Sequence, residues 1–414
     1  MKRNYVIVAL IMLTFFVISF LTNVIGPLVP DIIRDFRLSL TMVALLPFAF
    51  FIAYGVMSIP SGILIEKYKE KKVMIAAFLV SFLGALLLAL LPNYINAILS
   101  LFLIGSGMAM LQVVINPLLR TAGGEEHFAF NSVLAQLIFG SASFLSPLVY
   151  SWLVRNLDNG NTADNFLQSL VPDTIPWISL YWLFALISLL MVVVIAVIKF
   201  PKVELKQDEK AGALRTHVQL LKNRMVVLYF IGMICYVGSE QGTANWISQF
   251  LSTYHGYNPQ TTGANTVAYF WGLMTAGGVV GLLLLKLMDS RTILIAFTFL
   301  AMVALSIALF GSGAMALWAF PAVGFFASVM YPIIISLALN SVTEHHGSFS
   351  GIILTGIIGG AIVPLIIGWL GDQVGLRNGM LFLYLTMGYI MMIGFWAKPI
   401  VGNKTIFVSQ RKRG

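Results

Sequence analysis

Residues 236–246 read YVGSEQGTANW and are flanked by apolar sequence on both sides. Within this stretch, Glu240 is the one acid that we expect inside a membrane-spanning segment, since the other acids fall in predicted loops or at helix ends. A carboxylate near the middle of a bilayer costs several kcal/mol unless it faces the inside of a helix bundle. An acid in this position is therefore typical of a path for an ion or a substrate through a membrane.

The composition of the chain indicates an all-α membrane protein. Of its 414 residues, 59% are hydrophobic and only 10% are charged. The mean hydropathy is +0.92. Soluble proteins carry about 25% charged residues, so most of this chain is expected to contact lipid. A helix needs about 20 residues to cross the hydrocarbon core, and the chain is long enough for roughly a dozen such helices with their loops.

Apolar runs separated by charges and by Pro and Gly clusters predict twelve transmembrane helices. Their predicted ranges are 5–27, 40–65, 72–91, 94–119, 128–154, 176–199, 224–252, 260–286, 291–311, 313–340, 348–370 and 377–398. The first run is too long for a signal peptide and lacks a small-residue cleavage site, so we expect a retained helix. An even number of helices places both termini on one side of the membrane.

The distribution of basic residues predicts which side that is. All but four of the 25 Lys and Arg residues fall on the side of the termini, and the four exceptions are Arg34, Arg37, Arg155 and Arg377. Cytoplasmic loops are enriched in Lys and Arg, so both termini are expected in the cytoplasm and the protein in the inner (plasma) membrane. The net charge of +9 then orients loops in the lipid bilayer and does not indicate nucleic acid. We expect a monomer.

The two halves of the chain have similar sequence features. The longest polar stretch predicts a cytoplasmic linker at 201–223, between an N-terminal six-helix bundle at 1–200 and a C-terminal one at 224–400, with a tail at 401–414. An Asn-Pro pair, Asn116-Pro117, in the fourth predicted helix has a counterpart in Tyr331-Pro332 of the tenth. Two pseudo-symmetric six-helix bundles resemble the major facilitator fold, in which the substrate lies near the midplane between the halves.

The second loop carries a motif of that superfamily. Residues 62–72 read GILIEKYKEKK and resemble its cytoplasmic signature of a glycine, an acid and basic residues. The resemblance implies a conformational latch, in which Gly62 lets two helices approach while Glu66 and Lys67 pair across their cytoplasmic ends in the outward-open state. Lys69 stands where the family usually has glycine. The alternative is an ordinary basic loop.

Four further stretches resemble the fucose–glucose/galactose–proton symporter family within that superfamily. They are GMAMLQVVINP at 107–117 with LAQ at 134–136, YVGSE at 236–240 with Asn245-Trp246, FWG at 270–272, and GGAIVP at 359–364 with Gly368 and Asp372. Members of this family carry hexoses, mostly with a proton and in some relatives with sodium. The resemblance therefore implies a sugar as substrate, a proton or sodium as coupling ion, and no cofactor.

The chain departs from that family at two acids. The fucose carriers have one acid in the first helix, near Gly26 here, and another in the fourth helix, where this chain has Gln112. Neither acid is present. Ion coupling therefore falls on Glu240, or no proton is coupled.

Carboxamides form the larger group of candidate substrate-binding residues. Gln112 and Asn116 are four residues apart and project from one face of the fourth predicted helix. Gln136 in the fifth and Asn23 in the first supply two more amides. Each amide both donates and accepts hydrogen bonds, which suits a polyhydroxylated ligand. The alternative is that these amides tie neighbouring helices together.

The seventh predicted helix places Gln241 and Asn245 four residues apart beside Glu240. Glu240 would take up a proton outside and release it inside or, when ionised, accept hydrogen bonds from sugar hydroxyl groups. Aromatic rings can stack on the apolar face of a pyranose, although in membrane proteins they more often lie at the interface. The aromatic candidates are Trp271, Tyr331 and Trp246.

The sequence contains no metal-ligand constellation, phosphate-binding glycine loop or catalytic triad, so we expect neither an enzyme nor an ATP-driven pump. The leading hypothesis is a secondary-active sugar carrier, working by alternating access and ion-coupled symport. One alternative is a proton-driven exporter of amphipathic compounds, since GSASFLSP at 140–147 loosely resembles the antiporter glycine–proline signature. Another is a receptor that has kept the fold, which Glu240 and the helix-breaking prolines argue against.

Overall fold

Twelve helices long and apolar enough to cross a membrane run through the described part of the chain, which confirms the predicted number. The structure is a computed structural model that describes residues 4–158, 171–172, 174–200, 220–341 and 346–399. The helices are α1 (Tyr5–Phe36), α2 and α3 (together Leu40–Leu90), α4 (Tyr94–Gly123), α5 (Phe128–Asp158), α6 (Pro176–Val197), α7 (Arg224–Ala244), α8 (Pro259–Leu287), α9 (Ser290–Phe310), α10 (Gly313–Leu339), α11 (Gly351–Val374) and α12 (Leu376–Trp396). These ranges contain no strand, in agreement with an all-α fold. Of the predicted linker only residues 220–223 are described, and the predicted tail at 401–414 lies outside the described residues.

Local side chains determine where several helices begin. An Asn, Ser or Asp just before the first turn accepts a hydrogen bond from a backbone N–H of that turn, which would otherwise lack a partner. These N-cap residues are Asn4, Ser39, Asn93, Asn223, Asp289 and Ser312. A side chain also supplies a donor to the backbone carbonyl groups at the end of α6. Lys71 Nζ donates to the carbonyl oxygens of Ala196 at 2.8 Å and Ile198 at 2.9 Å.

The first helix is longer than its predicted range of 5–27. It consists of Tyr5–Thr22 followed by Ile25–Phe36. Pro27 lies in the first turn of the second segment, where an N–H needs no intrahelical partner, so it does not end the helix. The added turns bring Asp31 into the bundle, where it is buried. The prediction that Glu240 is the one acid inside a membrane-spanning segment is therefore wrong.

The first helix of each half is broken, and the two breaks touch. The break in α1 lies at Asn23 and Val24, and α7 gives way at Asn245 and Trp246 to a further segment, Ile247–His255. Gly26 lies against the second break, where a Cβ atom would be 2.4 Å from the carbonyl oxygen of Ala244. Only glycine lets the two broken helices approach this closely.

The chain reverses between α2 and α3 at Lys69. Its backbone angles, φ 69° and ψ 163°, are the non-helical ones inside Leu40–Leu90. A positive φ is uncommon for a residue with a Cβ atom and is readily adopted by glycine. Lys69 occupies the position where the superfamily signature usually has glycine, and the turn explains that preference.

The two halves meet at the end of the bundle opposite the termini, which we call the far end (residues 31–41, 254–260 and 372–377). There α2 packs on α11, and a Cβ atom on Gly368 would lie 2.6 Å from the carbonyl oxygen of Leu40. Nearer the middle, α5 packs on α8 through Phe144 and Gly272. These close contacts between halves shut the far end.

Candidate substrate site

Glu240 lies on α7 in a polar cluster and is partly exposed. The Tyr236 hydroxyl donates to its Oε2 at 2.5 Å, and Gln241 Nε2 donates to its Oε1 at 3.1 Å. Tyr236 is one turn before Glu240, so both donors come from the same helix. The Tyr331 ring of α10 contacts the Tyr236 ring, with centroids 5.8 Å apart. The structure thus brings together Glu240, Gln241 and Tyr331 of the predicted set.

Two further predicted residues supply donors without acceptors. Asn245 is 4% exposed and Trp271 is 5% exposed. Neither Asn245 Nδ2 nor Trp271 Nε1 has a hydrogen-bond partner among the described residues. A buried N–H without an acceptor costs free energy, so such groups are usually paired in the working protein. Both donors are therefore suited to an oxygen-bearing ligand.

The predicted amides of the N-terminal half lie on open surfaces. Asn116 on α4 and Gln136 on α5 are exposed, and Gln112 is half-buried. In lipid an amide would lose its hydrogen bonds with water, so we assign these three side chains to a water-filled opening between the halves. Each of them is closer to the terminal end of the bundle than the far-end contacts are. These amides therefore lie on the side of the termini, away from the far-end contacts.

Two of the candidate substrate-binding residues already form hydrogen bonds with other groups of the protein. Asn23 Nδ2 donates to Ser143 Oγ at 2.9 Å and to Ser19 Oγ at 3.4 Å, which ties α1 to α5. Trp246 is buried, and its Nε1 donates to the carbonyl oxygen of Pro364 at 3.3 Å. In this conformation both side chains hold helices together. For Asn23 this agrees with the alternative interpretation, in which the amides tie neighbouring helices together.

The predicted latch residues lie at the reversal between α2 and α3. Gly62 is half-buried, while Glu66 and Lys67 are exposed. Lys67 Nζ lies 5.2 Å from the centroid of the neighbouring Tyr68 ring. The latch stays a prediction.

Sequence reasoning missed one polar cluster. Asp31 on α1 accepts a hydrogen bond from the Tyr150 hydroxyl of α5, and Gln260 Nε2 of α8 donates to its Oδ1 at 3.1 Å. The signal was present in PLVPDIIRDF at 27–36, where an apolar face continues past both prolines. The prolines and charges nevertheless favoured a loop in the sequence, because two of the groups that stabilise Asp31, Tyr150 and Gln260, are more than 100 residues away.

The described residues contain no group of three or more His, Cys, Asp or Glu side chains placed to hold a metal ion. The segment 140–147, which loosely resembles the antiporter signature, lies in α5 at the contact with α8. Gly140 there faces Thr275, with a virtual Cβ 2.1 Å from its Oγ1. This segment therefore contributes to the contact between the halves.

Comparison with known proteins identifies the family. The Major Facilitator Superfamily profile matches residues 11–357. The glucose/galactose transporter of Brucella abortus is 31% identical over 95% of this chain and 93% of its own length. The L-fucose-proton symporter of Escherichia coli is 27% identical over 90% of this chain and 89% of its own. A crystal structure of the E. coli fucose:proton symporter has a TM-score of 0.65 and 23% identity, covering 94% of this chain and 98% of that one.

These relatives confirm the predicted resemblance to the fucose–glucose/galactose–proton symporters, and they are transporters rather than enzymes. With twelve membrane helices and the superfamily profile over most of its length, this chain is a multi-pass membrane protein that belongs to the Major Facilitator Superfamily.

Proposed function

We propose that this protein carries a hexose across the plasma membrane by alternating access, coupled to a proton or a sodium ion. The observation that carries the proposal is the placement of Glu240 between Tyr236 and Gln241, with the buried donors Asn245 and Trp271 lacking acceptors. A carboxylate and several N–H donors match the alternating donors and acceptors of sugar hydroxyl groups. The names of the glucose/galactose and fucose carriers similar to this chain support a sugar, and they do not favour the export of amphipathic compounds.

Each half of the protein has a separate role in this proposal. In the C-terminal half, Gln241 and Asn245 bind hydroxyl groups, Trp271 donates from its indole N–H, and Tyr331 closes the cluster beside Tyr236. In the N-terminal half, the exposed amides of α4 and α5 contact the sugar from the opposite side. The residues assigned to this half are Gln112, Asn116 and Gln136, together with Asn23, whose amide is bonded to Ser143 and Ser19 in this conformation.

Glu240 is the proposed ion-coupling residue. Its carboxylate is held by a hydroxyl and an amide within one helix, so it can bind a proton without breaking contacts between the two halves. A carboxyl group buried inside a membrane bundle typically marks an ion pathway. Protonation would remove the charge before the site closes, and release on the other side would restore it.

The same proposal includes the arrangement in the membrane. We infer cytoplasmic termini from the basic loops, two bundles at 1–200 and 224–400 with a linker at 201–223, and a monomeric carrier. Gly62, Glu66 and Lys67 would form the latch of the outward-open state at the turn around Lys69. The opening lined by Asn116 and Gln136 would then face the cytoplasm.

Uptake into proteoliposomes tests the function. Labelled glucose, galactose and fucose are offered with an imposed proton gradient, with a sodium gradient, or with neither. We expect at least one hexose to accumulate with one gradient in the wild type. Glu240→Gln should lose accumulation while still exchanging labelled for unlabelled sugar. Asp35→Asn is the matched control, since Asp35 is a second carboxylate whose partners, Arg34 and Trp177, lie within the N-terminal half.

Two results would contradict the proposal. If no hexose were transported under any gradient, the sugar assignment would be wrong. If Glu240→Gln accumulated sugar as well as the wild type, Glu240 would not be the coupling residue.

A further inference from the structure

Asp31 is a fully buried carboxylate at the far end, with 0% exposure. It has two partners in its own half. The Tyr150 hydroxyl of α5 donates to Oδ2, and Arg34 Nη2 lies 3.1 Å from Oδ1. A buried charge needs such partners to offset the loss of hydration. These contacts therefore hold the carboxylate in place whatever the other half does.

One partner of Asp31 comes from the other half. Gln260 Nε2 donates to Oδ1 at 3.1 Å and to Oδ2 at 3.3 Å. The backbone of Gln260 is itself fixed, because Asn258 Oδ1 accepts from the N–H of Gln260 at 2.9 Å and of Thr261 at 3.0 Å. Gln260 is thus positioned by the start of α8 to reach across the boundary between the halves. This hydrogen bond cannot persist when the far end opens.

A second carboxylate crosses the boundary in the opposite direction. Asp372, at the end of α11, accepts from the backbone N–H groups of Leu40 and Thr41, both at 2.9 Å, and from the Thr41 hydroxyl at 2.5 Å. It therefore caps the N-terminus of α2 from the other half. Asp372 is exposed to solvent, whereas Asp31 is sealed from it.

We propose that Asp31 and Asp372 are reciprocal latches that hold the far end closed, with the Asp31–Gln260 contact the stronger of the two. The physical reason for the difference is water. A hydrogen bond to a carboxylate contributes more where water cannot replace the partner. When the far end opens, Asp31 keeps Tyr150 and Arg34, so the latch opens without leaving an unpaired buried charge and can re-form in each cycle. The inference rests on alternating access and not on the identity of the substrate.

Distances between spin labels test this proposal. Ile95 and Met315 lie near the far-end starts of α4 and α10, and they are 69% and 53% exposed. Both are changed to Cys in a Cys235→Ser background, which removes the one native cysteine. Pulsed electron paramagnetic resonance on the labelled protein in lipid nanodiscs then gives the populations of short (closed) and long (open) distances across the far end.

Two variants and two matched controls decide the outcome. Asp31→Asn and Gln260→Ala each weaken the contact between halves, and each should raise the open-to-closed ratio roughly tenfold, the size expected for a hydrogen bond to a charged group. Asp35→Asn and Gln249→Ala should leave the ratio unchanged. Asp35 bonds within its own half, and Gln249 Nε2 donates to Thr253 of its own helix at 3.0 Å.

The combined variant gives a further criterion. If Asp31→Asn and Gln260→Ala act through one contact, the double variant should shift the ratio no more than either alone. Unchanged ratios in both single variants, or equal shifts in the controls, would overturn the latch. If Asp31→Asn does not fold, Gln260→Ala decides alone. A shifted ratio without hexose transport would retain the latch and reject the sugar assignment.

Discussion

Glu240 and Asp31, two acids of the bundle, differ in what holds them. The carboxylate of Glu240 is bonded by Tyr236 and Gln241 of its own helix and remains partly exposed in the middle of the bundle. The carboxylate of Asp31 is bonded from α1, α5 and α8 and is sealed from water at the far end. One acid thus keeps its partners when the halves move, and the other loses a partner.

This difference distinguishes a residue that binds an ion or a ligand from a residue that sets the conformational equilibrium. An acid with local partners can exchange an ion or a ligand at nearly constant cost in both states of the carrier, as a binding residue must. An acid that bridges the halves changes its energy with the state, and it therefore shifts the equilibrium between the states. The two carboxylates, Glu240 and Asp31, are therefore expected to affect transport in different ways.

Gly26→Ala should have the largest effect on the open-to-closed ratio of the far end. Its new Cβ atom would lie 2.4 Å from the carbonyl oxygen of Ala244, so the two broken helices would meet only with strain and closure of the far end would be disfavoured. Overpacking of this kind typically costs about 1–3 kcal/mol, so we expect a shift of roughly fivefold to 150-fold toward the open state, read from the Ile95–Met315 distance. Gly278→Ala, where no atom lies within 4 Å of the added group, is the control. A closed far end in Gly26→Ala would show that the carboxylates suffice.

Tyr236→Phe should affect the surroundings of Glu240 without affecting the far end. It removes one of the two donors to that carboxylate, so apparent affinity for the transported sugar should fall about fivefold to tenfold. The far-end distance should not change, because no contact between the halves is lost. Tyr229→Phe is the control on the same helix, since its hydroxyl bonds to Ser341 at 3.0 Å, away from Glu240. A changed far-end distance in Tyr236→Phe would mean that the two regions are coupled.

Asp372→Asn should have the smallest effect. Its carboxylate accepts three hydrogen bonds from α2 but is exposed, and solvated ion and hydrogen-bond contacts contribute little. We expect the open-to-closed ratio to rise only about twofold to threefold by the same distance measurement. Asp289→Asn, which keeps an N-cap on α9 within one half, should leave the ratio unchanged. An effect of Asp372→Asn as large as that of Asp31→Asn would reverse the proposed ranking of the latches.

Local composition was enough to predict the number of membrane helices. Membrane helices satisfy their backbone hydrogen bonds within each segment, so an apolar run predicts a helix without knowledge of its neighbours. The same rule failed at the end of α1. There Pro27, Pro30 and Asp31 resemble a loop, and the groups that make the helix possible come from α5 and α8.

The sequence by itself determined the class of the protein, its twelve spans and the carboxylate in the seventh helix. Only the tertiary structure decided how each polar side chain is used. Asn23 and Asn116 are both amides in apolar helices, yet Asn23 is buried and bonded to Ser143 while Asn116 is exposed. Partners such as Ser143 for Asn23 come from segments far apart in the chain, so their assignment depends on packing that no local pattern contains.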